Sequence, residues 1–130
     1  MKNVLVFPCG SEIGLEIHRA LSGSKHFSLV GANSVDDHGR YLYKNYVAGL
    51  PFVDAEDFIH EINKVVIQYD IDFVVPAHDS AVFKLAENQH NIKATVIASC
   101  IETCRICRSK AQTYKLFEKI IPTPTMLESL

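Results

Sequence analysis

Two rhythms of apolar and polar positions alternate along the chain. Val4-Leu5-Val6-Phe7 is a short unbroken apolar run, which suits a strand buried on both faces of a parallel sheet. Pro8-Cys9-Gly10-Ser11 breaks it. Ile13, Ile17, Ala20 and Leu21 then fall on one face at helical spacing, predicting a helix with Ser11 as N-cap and Ser22-Gly23-Ser24 as its end. Residues 27–32 form a second apolar strand, closed by Asn33-Ser34. A polar stretch over 35–44 reads as a loop, and 46–48 as a weak third strand. The clearest helix spans 54–69, with Phe58, Ile62, Val65, Val66 and Tyr69 in one stripe. Residues 72–77 return to a buried strand. Asp79 or Ser80 can cap the next helix, which turns Val82, Leu85 and Ala86 inward. Residues 94–98 read as another strand. Two helical pieces follow at 101–107 and 110–120, stopped by Pro122-Thr123-Pro124.

Apolar strands alternating with amphipathic helices predict a mainly parallel sheet covered on both faces, joined by right-handed crossovers: a three-layer, Rossmann-like α/β sandwich. Ligands of such sheets sit at the carboxyl ends of the strands. That rule places residues 8–11, 33–37 and 77–80 at the expected working edge.

The chain has 130 residues, enough for one core rather than two. Its hydrophobic fraction of 48% provides enough apolar surface to offset the entropy of ordering, so disorder is a poor reading. A formal charge of −2 leaves no electrostatic footprint for nucleic acid or an acidic membrane. The first apolar run is too short for a secretory core or a membrane span. Four cysteines without such a leader read as reduced thiols, and the expected location is the cytoplasm.

Gly10-Ser11-Glu12-Ile13-Gly14 occupies the first strand-to-helix turn, where glycine admits close approach and the helix N-terminus attracts an anion. The spacing is not G-x-G-x-x-G, and Asn33 stands where a ribose-binding acid would be expected. Asp36 and Asp37 come slightly late, so the dinucleotide fingerprint fails. Turn chemistry and a small-ligand site both remain open for this segment. Cys100, Cys104 and Cys107 spell C-x3-C-x2-C, a spacing also found in radical-SAM iron–sulfur sites. Positions i, i+4 and i+7 share a helical face, so a packed, metal-free thiol stripe is the preferred reading. The six histidines show no metal-ligand spacing. His78 draws notice because it sits beside Asp79 at the expected edge.

The end of the sequence is the most informative. Ser109-Lys110, a helix over 111–119 and Ile121-Pro122-Thr123-Pro124-Thr125 resemble the junction between the pre-ATP-grasp domain and the ATP-grasp module of ATP-grasp ligases. The stretch from Pro8-Cys9-Gly10-Ser11 to Ile17, with Arg19-Ala20-Leu21, resembles the first turn and helix of the carbamoyl-phosphate-synthase-like branch. Val75-Pro76-Ala77-His78-Asp79 with Leu85-Ala86 resembles its fourth strand and following helix.

This resemblance implies a pre-ATP-grasp domain over 1–120, with 121–130 beginning a linker into a missing C-terminal ATP-grasp module. It implies that Lys110 reaches the phosphates of ATP, and that Gly10, Ser11, Glu12 and Asp79 face the substrate. The parent would ligate a carboxylate to an amine or other nucleophile through an acyl phosphate, using ATP and Mg2+, and a homodimer is possible. The chain taken alone is then expected to be inactive, with no bound cofactor. A stand-alone nucleotide-binding or regulatory module is the alternative, and an NAD-dependent oxidoreductase fragment is disfavoured by the broken fingerprint.

Overall fold

The computed structural model describes residues 1–125. Five parallel strands form one sheet in the order β3-β2-β1-β4-β5: β1 (Lys2–Phe7), β2 (Phe27–Ala32), β3 (Asn45–Val47), β4 (Phe73–Pro76) and β5 (Thr95–Val96). Helices α1 (Glu12–Leu21), α2 (Phe58–Gln68) and α3 (Asp79–Glu87) are the crossovers, and α4 (Ile101–Arg108) and α5 (Lys110–Phe117) follow the last strand. The expected three-layer Rossmann-like architecture is the observed one.

The apolar run of β1 divides between the two faces, since successive strand side chains point oppositely. Leu5 and Phe7 join Val30, Ala32 and Val74 under Phe58 and Ile62 of α2 and Ala81 and Leu85 of α3. Phe58 is fully buried, its ring 5.3 Å from that of Phe7. Val4 and Val6 face the other way, against Cys9, Tyr43, Ala77 and the half-buried Ile17 of α1. Burying each of the large ones among them, Val, Leu, Ile or Phe, stabilises the fold by roughly 1.5–3 kcal/mol.

Several local expectations are corrected. Helix α1 turns Gly14 inward rather than Ile13, which is 54% exposed, and Ala20 is exposed as well. The reason is steric: a β-carbon on Gly14 would stand 2.5 Å from the Cys9 carbonyl oxygen, so the thinnest position faces the closest approach. Helix α2 begins at Phe58 because residues 54–57 form turns, closed by Ala55 N–H to Phe52 O at 2.9 Å. The expected 35–44 loop contains a 3₁₀ turn at His38–Tyr41, and it carries Tyr43 into the core at 3% exposure. The cap of α3 is His78, not Asp79 or Ser80: its Nδ1 accepts the Ser80 N–H at 3.3 Å. The cysteine stripe is only partly packed, with Cys104 buried and Cys100 and Cys107 exposed. Helix α5 ends at Phe117 rather than 120 and has no buried residue. Residues 126–130 of the expected linker lie outside the described residues.

Candidate functional site

Three segments meet at the carboxyl end of the sheet, as the strand order requires. The order reverses direction between β1 and β4, and there the segments leaving β1, β2 and β4 diverge around a crevice. Backbone bonds hold its walls: Cys9 N–H to Ala32 O at 2.9 Å, Asn33 N–H to Val47 O at 2.9 Å and Ala77 N–H to Phe7 O at 2.7 Å. The crevice, about 270 Å³, is lined by Phe7, Pro8, Val35, Phe52, Val53 and Ala81, with Asn33, Ser34, His78 and Ser80 as its polar groups. Apolar walls with a few placed polar groups are the usual make-up of a small-ligand pocket, and this volume lies just below the usual range of about 300–1,000 Å³. Phe52, 67% exposed, and Val35, 50% exposed, stand at its lip.

Beside the crevice, the glycine turn is already filled. The Asp37 carboxylate lies against Gly10, where a β-carbon would be 1.8 Å from Oδ2. Its Oδ2 accepts from Asn33 Nδ2 at 2.5 Å and its Oδ1 from Gly39 N–H at 2.9 Å. Asn33 is 5% exposed, and its own Oδ1 accepts the Ser34 N–H at 2.9 Å. The Cys9 thiol beneath is pushed up to about 12 by burial, with the Asp37 charge adding to the shift. This thiol is therefore a packed group and not a nucleophile at neutral pH.

The expected site residues separate into three places. Gly10 gives the room that Asp37 occupies. The Ser11 hydroxyl accepts from Gly14 N–H at 3.0 Å and donates to Ala77 O at 2.7 Å, tying α1 to β4. Glu12 is exposed in the first turn of α1, where the helix dipole favours a carboxylate. Asp79 opens α3 but lines a different cleft, between α3 and α4, together with Arg108. Lys110 opens α5, is exposed, and lines neither cleft. Asn33 falls within the expected edge at 33–37 but was not singled out as a binding residue, and Phe52 and Val53, which follow β3, were not expected at the site.

Among the described residues no three His, Cys, Asp or Glu side chains are placed to hold a metal ion, the cysteine cluster included. Among the same residues, no helix is long and apolar enough to cross a membrane.

No family model matches the chain, and no curated protein matches it. A solved structure with the same fold is that of dTDP-glucose 4,6-dehydratase from Bacillus anthracis in complex with NAD. The match has a TM-score of 0.51 at 11% identity and covers 91% of this chain. The chain spans about half of that neighbour, 52% of its length. The likeness is one of fold.

Proposed function

We propose that this chain is the substrate-side domain of an ATP-dependent ligase that joins a carboxylate to an amine or related nucleophile. The supporting observation is Asp37 on Gly10. In dinucleotide-binding sheets the first glycine turn holds a pyrophosphate against the helix N-terminus. Here the chain's own carboxylate occupies that turn, and its charge opposes a phosphate. The sheet edge is left with a small, mostly apolar crevice suited to a compact substrate rather than a dinucleotide.

Nucleotide phosphates would then be met away from this turn. Lys110 is the cation the resemblance to ATP-grasp ligases assigns to them, and its exposed position at the start of α5 is compatible with contact to a following module. The adenine pocket and the magnesium ligands are assigned to that module in this reading, as the resemblance implies. Gly10 and Ser11 shape the substrate edge through the fold, and the crevice beside them receives the substrate.

The test is an assay of protein carrying this domain together with a following ATP-grasp module. Carboxylate-dependent release of ADP and formation of an amide product are expected with Mg·ATP. ADP release indifferent to every carboxylate tried, or micromolar NAD binding by this chain, would overturn the reading.

A further inference from the structure

We infer that the cleft between α3 and α4 is a binding site for a small zwitterion, an α-amino acid of about the size of glycine or alanine. The cleft is distinct from the crevice at the strand reversal, and the inference does not depend on the ligase reading. Its walls are Asp79 and Val82 of α3, Ser99 after β5, and Thr103, Cys104, Cys107 and Arg108 of α4. It opens at the carboxyl side of β4 and β5, the side on which α/β sheets bind ligands.

One anion and one cation therefore face the same small space, yet no ion pair within 4.0 Å joins Asp79 to Arg108, and among the described residues neither pairs with another charge. Each is held by its own helix. Asp79 is in the first turn of α3 and Arg108 in the last turn of α4, the ends where the dipole favours their charges. The Arg108 guanidinium is further fixed over the Phe83 ring, 5.3 Å from its centroid, with Nη2 3.5 Å from Ser80 Oγ. Stacking leaves the planar fork free to bind a carboxylate through two N–H groups.

The Arg108 charge is thus held in place across the cleft from Asp79, which lowers the ordering cost of binding a ligand that carries both opposite charges. A ligand carboxylate would meet Arg108, its ammonium would meet Asp79, and the Ser99 and Thr103 hydroxyls supply further hydrogen bonds. The volume, about 130 Å³, is close to that of about four liquid waters, which limits the ligand to a short side chain against Val82 and Cys107.

The test is a titration of the 130-residue chain with glycine and with L-alanine, followed by amide NMR. Acetate and methylamine serve as probes carrying one charge each. Saturable shifts are expected at residues 79–82 and 99–108, with glycine binding at least about tenfold more tightly than either single-charge probe. Arg108→Gln and Asp79→Asn, both exposed and remote from the core, should each weaken glycine binding about tenfold with the remaining spectrum unchanged. Absence of shifts in those segments at about 50 mM amino acid would overturn the inference. So would acetate binding as tightly as glycine, which marks a simple anion site, or unaltered binding by both variants.

Discussion

The carboxylate of Asp37 stands where the side chain of residue 10 would be: a β-carbon on Gly10 would lie 1.8 Å from Oδ2 and 2.3 Å from Cγ. Gly10→Ala must therefore displace Asp37 and break its bonds to Asn33 and Gly39. We expect a destabilisation of about 1–3 kcal/mol, measured by urea unfolding. The clash is with a side chain, so Asp37→Ala should remove most of the added cost. The double variant should then be more stable than the sum of the single effects by about 0.5–2 kcal/mol, and strict additivity would disprove the contact.

Gly14 has no such relief. The atoms nearest a β-carbon there are backbone, the Cys9 carbonyl oxygen at 2.5 Å and the Pro8 carbonyl oxygen at 2.8 Å. Gly14→Ala should push α1 off the turn and weaken the Tyr43 hydroxyl bond to Gly14 O, now 2.6 Å. We expect a loss on the order of 2–4 kcal/mol, not rescued by Asp37→Ala. Chemical denaturation of both variants makes the comparison.

Alkaline pH should destabilise the fold from one face of the sheet. The folded state holds the Cys9 proton up to about 12, against an ordinary value of 9.0, so above 9.0 the unfolded chain binds fewer protons than the native one. Stability is unaffected by this thiol below that pH and falls as pH rises through the window, by up to about 1.4 kcal/mol per pH unit. Tyr43, also raised by burial, adds in the same direction at higher pH. Urea midpoints taken from neutral pH to about pH 11 should decline, and a flat profile would contradict the assignment.

The cysteines should differ in reactivity. The thiol of Cys100 is exposed and lies 3.2 Å from the Thr103 hydroxyl, whose hydrogen bond lowers its pKa, whereas Cys9 is buried and raised. Iodoacetamide on the native protein should label Cys100 ahead of Cys104 and leave Cys9 unlabelled until denaturant is added. Mass mapping of the alkylated peptides reads the order directly, and equal labelling of Cys9 would argue against the packing at the turn.

Lys110 carries the prediction that belongs to the proposed ligase. In protein that includes the ATP-grasp module, Lys110→Ala should raise the KM for ATP roughly ten- to hundredfold, the loss of one charge-assisted contact, with the fold intact. The KM for the carboxylate should move much less, while Ser80→Ala and Val53→Asp in the crevice should show the opposite pattern. Unchanged ATP kinetics in a folded Lys110→Ala variant would reduce it to a solvated residue at a helix start.

What the sequence determined alone was the alternation of elements and hence the sandwich. The doubled apolar face of Val4 to Phe7 requires cover on both sides, the stripe of Phe58, Ile62, Val65 and Val66 provides one cover, and Ser11 marks a helix start by local hydrogen bonding. These are short-range signals, carried by residues within one or two turns of each other. Tertiary structure decided everything that depends on residues far apart in the chain. Ile13 fits the helical stripe, but the close approach of Gly14 to Cys9 rotates it outward. Asp37 reads as part of a polar loop, yet β2 and β3 pairing folds that loop back until its carboxylate covers Gly10. Asp79 was expected to face the substrate together with the glycine turn, and the packing of α4 on α3 instead places it in a cleft that Arg108 also lines. Periodicity says which side of an element is apolar; the depth of each contact is set by the shapes of whatever it meets.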